Sequence, residues 1–184
     1  MPIIDLETPR ANAPASHRLA GFRAWSLALA VAFVASSTAA ADHSVTVTEQ
    51  VSLAVPPARA WNHIRDFMGW SSWHPAFAGT KLLKGDGHSV GTVRLLSAKD
   101  GAQFTEELVA YDPAAHSLTY RILESPAPVI GYVSTISVRR NGSGSNVVWS
   151  SRFSLKDGTA EGDAKKAIAA IYRVGLDNLV TSFD

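Results

Sequence analysis

The stretch at residues 161–183, E-G-D-A-K-K-A-I-A-A-I-Y-R-V-G-L-D-N-L-V-T-S-F, decides the fold. Ala164, Ile168, Ile171/Tyr172, Gly175/Leu176, Leu179 and Phe183 recur at steps of three and four. That spacing predicts an amphipathic helix of about six turns, with one apolar stripe that needs a partner. The chain before it reads with a period of two. Lys81-Leu82-Leu83 closes on Gly85-Asp86-Gly87, and residues 90–97 close on Lys99-Asp100-Gly101. Residues 103–111 close on Asp112-Pro113, and residues 117–123 on Ser125-Pro126-Ala127-Pro128. Residues 132–139 and 146–155 close on Asn141-Gly142-Ser143-Gly144 and Lys156-Asp157-Gly158. Turn residues at such regular intervals predict a meandering antiparallel sheet.

One more strand leads this series. Residues 44–54 place Val45, Val47, Val51 and Leu53 among polar neighbours, and Pro56-Pro57 stops them. A short helix follows over residues 58–67, with Trp61, Ile64 and Phe67/Met68 on one face. Then comes Gly69-Trp70-Ser71-Ser72-Trp73-His74-Pro75, where Pro75 limits any second helical turn. The order is strand, one or two short helices, six strands, long helix: an α+β chain. A sheet with one apolar face must cover it, and the terminal helix is the cover. A single helix is narrower than seven strands, so a cavity between them is expected.

The first 41 residues stand apart. His17, Arg18 and Arg23 precede an apolar run from Ala24 to Ala35, and Ser36-Ser37-Thr38-Ala39-Ala40-Ala41 follows. This is the pattern of a secretory signal peptide, cleaved after Ala40 or Ala41. The run is short of the roughly 20 residues a membrane span needs, so no stable span is expected after cleavage. Residues 1–16 form a long lead-in, which points to a translation start downstream of Met1. The expected organisation is a leader over 1–41 and one domain over 42–184, exported to the periplasm or secreted. The chain holds no cysteine, which suits an oxidising compartment and removes disulfides and thiolate chemistry. Lysine and arginine number 17 against 16 acidic residues, with no basic run, so no nucleic-acid partner is expected.

Several pieces, weak alone, are specific in their order. They are Pro57-Ala58-Arg59-Ala60-Trp61, Trp73-His74-Pro75, Gly91-Thr92-Val93-Arg94, Glu106-Glu107-Leu108, Tyr120, Tyr132, Val148-Trp149 and the helix positions Tyr172, Gly175, Leu176 and Leu179. Over residues 44–183 this order resembles the helix-grip superfamily. That group includes the steroidogenic-acute-regulatory-related lipid-transfer domains, the birch-pollen-allergen fold and the abscisic-acid receptors. It also includes the bacterial polyketide cyclase/dehydrase and lipid-transport group. The resemblance implies a curved seven-stranded antiparallel sheet around a long C-terminal helix, with a small hydrophobic molecule held between them. In the abscisic-acid receptors an acidic residue matching Glu106 and a tyrosine matching Tyr132 line the cavity. The resemblance implies the same for those two residues here. It also places Trp70 and Trp73 as wall or lid residues. The fold alone names no reaction.

Alternation sorts the strands into faces. The more apolar sets are Phe104, Glu106, Leu108, Ala110; Leu118, Tyr120, Ile122; Tyr132, Ser134, Ile136, Val138; and Val147, Trp149, Ser151, Phe153, Leu155. These are expected to face the helix, which points the Glu106 carboxylate inward. A buried carboxylate needs a partner, water or a proton. Arg94 on the neighbouring strand is the available partner, but its two strand faces are almost equally apolar and leave its direction open. Glu106 then reads either as a ligand contact or as a structural ion-pair partner. Tyr120, Tyr132, Trp149 and Tyr172 carry one polar tip on an apolar body, suited to a ligand wall or to ordinary core. The candidate ligand-binding set is Trp70, Trp73, His74, Arg94, Phe104, Glu106, Leu108, Tyr120, Tyr132, Trp149 and Tyr172.

Three functions compete for this set. A binding or carrier protein for a lipid, polyketide or aromatic metabolite needs only the cavity and a few polar anchors. A cyclase or dehydratase needs a general acid/base at the substrate, for which His74 and Glu106 are the candidates and Tyr132 a donor. An envelope interaction protein would carry a vestigial cavity, below about 100 Å³ against the roughly 300–1,000 Å³ of ligand sites. His63 reads as a surface residue. No metal-ligand spacing, nucleophile elbow or phosphate loop appears, so neither a metal nor a cofactor is expected.

Overall fold

The computed structural model describes residues 44–183, and the expected leader over 1–41 lies outside them. Seven strands form one curved antiparallel sheet in the order β1-β7-β6-β5-β4-β3-β2. They are β1 (Val45–Leu53), β2 (Phe77–Lys84), β3 (Val93–Ala98), β4 (Gln103–Asp112), β5 (Ser117–Glu124), β6 (Val129–Asn141) and β7 (Gly144–Leu155). Helix α1 (Pro57–Ile64) follows β1, and α2 (Glu161–Phe183) ends the fold with the bounds its periodicity predicts. A single 3-10 turn at Trp70–Ser72 stands in the loop after α1.

The inward sets fall where alternation puts them except at the end of β4, where a bulge after Leu108 turns Ala110 outward and Tyr111 toward Trp61. Leu108, Leu118, Tyr120, Tyr132, Ile136, Val147, Trp149 and Phe153 are all buried, and their strand neighbours are not. Four boundaries differ from the sequence reading by three residues or more, one of them the start of β6, at Val129 rather than 132. Helix α1 stops at Ile64 rather than 67, because Asp66 Oδ1 takes the Met68 N–H at 2.9 Å and turns the chain. Strand β2 begins at Phe77 rather than Lys81, and β3 at Val93 rather than 90. Bulges between Phe77 and Gly79 and between Leu82 and Lys84 break the β2 alternation that the sequence would have shown.

Helix α2 lies against β1 and β7 at one side of the concave face. Its stripe of Ala164, Ile168, Tyr172, Leu176 and Leu179 is buried, and Arg173 pairs with Glu49 of β1. The loop after α1 crosses to β2 on the other edge and fills much of what α2 leaves uncovered. Phe67, Trp70 and Trp73 are each no more than 2% exposed. Two contacts fasten this loop to α2. Asn178 Nδ2 donates to the Trp73 carbonyl at 2.8 Å, and the His74 ring reaches the Ile171 carbonyl with Nε2 at 3.0 Å. The imidazole fits because Gly175 has no side chain; a Cβ there would stand 2.3 Å from His74 Cδ2 and 3.1 Å from Trp73 Cζ3. Alanine gains about 1 kcal/mol of helix propensity over glycine, but overpacking a core costs about 1–3 kcal/mol. Gly175→Ala is therefore expected to lower the urea midpoint, and an unchanged or higher midpoint would contradict this close approach.

Candidate functional site

Where α2 and the crossing loop stop, an apolar cavity of about 240 Å³ remains. Strand β4 contributes Phe104 and Glu106, β5 Tyr120 and Ile122, β6 Tyr132, and β7 Trp149. Trp70 and Phe77 close it from the crossing loop and the start of β2. Ala164, Ala167, Ile168, Ile171 and Tyr172 close it from α2. The β5–β6 connection, Pro126-Ala127-Pro128-Val129, completes the rim. Pro126, Pro128 and Ala167 are exposed while bordering the cavity, so its mouth lies between that loop and the first half of α2.

The polar groups of the wall sit in two clusters. The first is a buried ion pair. Arg94 is fully buried and Glu106 is 4% exposed. Arg94 Nε and Nη2 both donate to Glu106 Oε2, at 2.8 and 2.6 Å. Arg94 Nη1 donates to the Phe67 carbonyl. The guanidinium lies 4.0 Å from the ring centres of Phe67 and of Trp70, a cation between two aromatic faces. Burial pushes the Glu106 carboxyl up and the Arg94 group down, and the pairing opposes both shifts. A guanidinium keeps its proton in proteins, so the pair is ionic.

The second cluster is a row of hydroxyls under Trp149. Its indole N–H donates to Ser134 Oγ at 3.0 Å, with the Tyr120 hydroxyl at 3.3 Å. Ser134 Oγ donates to the Ser150 carbonyl at 3.0 Å. Tyr172 bonds to Ser134 Oγ at 3.0 Å and to the Tyr132 hydroxyl. The Trp149 and Tyr172 rings stack at 4.4 Å between centres, which joins β7 to α2. Burial raises all three tyrosines well above the usual phenol range, so they are neutral hydrogen-bond donors.

Of the eleven predicted residues, seven border the cavity: Trp70, Phe104, Glu106, Tyr120, Tyr132, Trp149 and Tyr172. Trp73, His74, Arg94 and Leu108 do not. Arg94 faces inward but stands behind the wall, wedged between Phe67 and Trp70. Leu108 lies one inward position further along β4, in the closed core. Trp73 and His74 are spent on fastening the loop to α2. The His74 ring has no nitrogen left for a substrate, since Nδ1 accepts the Ala76 N–H at 3.3 Å and Nε2 donates to Ile171. It braces the loop against α2 and does not border the cavity. His63 is exposed, as expected.

The sequence reading did not single out Phe77, Ile122, the 126–129 loop or the small and aliphatic residues of α2. Ile122 shares the inward set of Tyr120, and Ala164 and Ile168 belong to the helix stripe, so their signal was present. The loop gave none beyond its prolines. Among the described residues no cluster of three metal-ligating side chains occurs, and no helix is long and apolar enough to cross a membrane.

A curved antiparallel sheet gripping one long helix over an apolar cavity is the helix-grip architecture. The chain belongs to the polyketide cyclase / dehydrase and lipid transport family, whose model matches residues 44–184. Among solved structures it is similar to the protein XoxI from Bacillus cereus, at 30% identity and a TM-score of 0.70 over 76% of this chain and 95% of that one. It is also similar to a putative uncharacterised protein from Bacillus thuringiensis, at 28% identity and a TM-score of 0.69 over 76% and 98%. A third similar structure, from Nitrosospira multiformis, has 26% identity and a TM-score of 0.67 over 76% and 97%. No curated protein matches.

Burial lowers the His74 pKa from 6.5 to about 4. The unfolded chain therefore binds a proton that the folded chain refuses between those values. The neutral histidine's contribution is complete above pH 6.5 and is lost as pH falls toward 4, by about 3 kcal/mol in all. Urea titrations at pH 7 and pH 4.5 are expected to show a larger loss of stability for the native chain than for His74→Gln. Equal losses would mean that the imidazole is not held neutral by burial.

Proposed function

We propose that this protein binds a small apolar molecule in the cavity between sheet and α2, and serves as an exported carrier or binding protein. The cavity carries the reading. At about 240 Å³ it exceeds the 100 Å³ expected of a vestigial space. An apolar void of about 150 Å³ already holds a benzene ring. The space here suits a substituted single ring, a fused two-ring system or a short branched chain. It falls just below the roughly 300–1,000 Å³ of common ligand sites, which argues against a whole phospholipid. The family's description and the exposed mouth beside Ala167 support the same reading.

Ala167→Trp places a large ring at the mouth on the exposed side of the helix, away from the core. Native mass spectrometry of protein from its own host is expected to show a co-purifying small molecule that this variant lacks, with an unchanged urea midpoint. A clean apo mass for both proteins, and no thermal shift over a panel of lipids, polyketides and aromatics, would count against ligand binding.

The carrier's place outside the cytoplasm rests on the basic, apolar and small-residue order of residues 17–41 and on the lack of cysteine. N-terminal sequencing of the protein made by its host is expected to begin at Ala41 or Asp42. A product that retains residues 24–35 would overturn export by cleavage.

A further inference from the structure

The wall's hydrogen-bond accounting shows what kind of polar group a ligand can present. The wall has six side chains with polar atoms: Trp70, Glu106, Tyr120, Tyr132, Trp149 and Tyr172. Ser134 gives its one proton to the Ser150 carbonyl, so it must accept from Tyr172. Tyr172 has then used its proton, so Tyr132 donates to Tyr172. The Tyr120 oxygen accepts from Trp149, and among the described residues its own proton has no hydrogen-bond acceptor. The Trp149 N–H is spent on Ser134 and Tyr120. The protons of Trp149, Tyr132, Tyr172 and Ser134 each have a taker, ending on a backbone carbonyl. The Trp70 N–H is unpartnered but buried away from the open volume.

Glu106 is different. Arg94 makes both of its bonds to Oε2 and none to Oε1. Among the described residues Oε1 has no partner, yet it is absent from the sealed, unpartnered atoms, and Glu106 borders the cavity. It is a carboxylate oxygen with its lone pairs facing apolar space. A carboxylate left without a full set of donors in a dry site is costly, and a ligand O–H or N–H would relieve that cost.

We propose that the cavity selects a neutral, one- or two-ring-sized ligand carrying a hydroxyl or N–H donor, received by Glu106 Oε1, and rejects carboxylates of the same shape. This rests on the cavity-binding reading above. A ligand carboxylate would meet an oxygen of like charge, with only the Tyr120 hydroxyl of the row left to donate to it. A hydrocarbon would fill the space but leave Oε1 unpaired.

Calorimetry or thermal shift with 2-naphthol, naphthalene and 2-naphthoate at pH 7 separates the possibilities. The native chain is expected to bind 2-naphthol about tenfold or more tightly than naphthalene, the worth of one hydrogen bond to a charged group, and 2-naphthoate most weakly. Glu106→Gln alone leaves Arg94 buried and unpaired, and this can unfold the protein. The informative variant is therefore the double replacement Arg94→Met with Glu106→Leu, which removes both charges and keeps the volume. It is expected to fold and to bind 2-naphthol and naphthalene alike. Equal binding of those two by the native chain, or preference for 2-naphthoate, overturns the donor selection while leaving cavity binding in place. If none of the three binds, and Ala167→Trp changes nothing, the cavity reading falls and the selection falls with it.

Discussion

Seven strands spaced about 4.8 Å apart span roughly 29 Å, and an α-helix with its side chains is about 10–12 Å wide. One helix therefore cannot cover the concave face of this sheet, and the rest of the molecule answers that shortfall. Helix α2 covers the β1–β7 side. The segment after α1 crosses toward β2 and lays down Phe67, Trp70 and Trp73. The cavity is what neither reaches. Its position follows from the order of elements, because the crossing loop enters from one end and α2 leaves the other end open at residues 164–168. Small residues sit there. Ala164 and Ala167 both border the cavity, Ala164 from the buried stripe and Ala167 at the mouth.

The loop and the helix must be held in fixed relation for that space to keep its shape. His74 and Gly175 provide the fit. The ring occupies the place of a missing side chain on α2 and bonds to the Ile171 carbonyl one turn earlier. Ile171 and Tyr172 border the cavity, so the same contact that braces the loop also sets the helix wall. A histidine does this as a neutral group, and burial keeps it neutral. Trp70 then stands edge-on to both Tyr120 and Trp149, at 5.1 Å between ring centres, and forms the cavity floor.

The amount legible in the sequence tracks how local the signal is. Helix α2 and the inward faces of β4 to β7 depend on periodicity within one element, and both came out as the pattern predicts up to the bulge that turns Ala110 outward in β4. Six of the seven cavity-lining site residues belong to those elements, and Trp70 to the crossing loop. Of the other four, Leu108 faces inward as its strand predicts but beyond the cavity, and Trp73, His74 and Arg94 depend on distant partners. Arg94's direction could not follow from β3, whose two faces are equally apolar; it is settled by Phe67, Trp70 and Glu106, from two other segments. His74 looked like chemistry because an imidazole beside two indoles is unusual. What fixes its place is Gly175, far along the chain, whose lack of a side chain reads in sequence only as a weak helix position. Export and the leader stand on composition alone, outside the described residues.

The Arg94–Glu106 pair is the least economical part of this core. Replacing a buried pair by well-packed apolar residues is often neutral or stabilising, whereas removing one partner costs about 3–5 kcal/mol. Stability therefore gives no reason for charges here, where Phe67, Trp70, Leu96 and Leu108 already pack closely. The geometry is also not that of a pair optimised for strength. A bidentate pair would use both carboxylate oxygens, but Arg94 turns to share Oε2 and sends Nη1 to the Phe67 carbonyl. The rings of Phe67 and Trp70 hold the guanidinium in that pose. Its effect is to anchor the carboxylate by one oxygen and turn the other toward the cavity. A charge that adds little to folding, fixed on one side and open on the other at a ligand-sized space, is explained by what it can accept there.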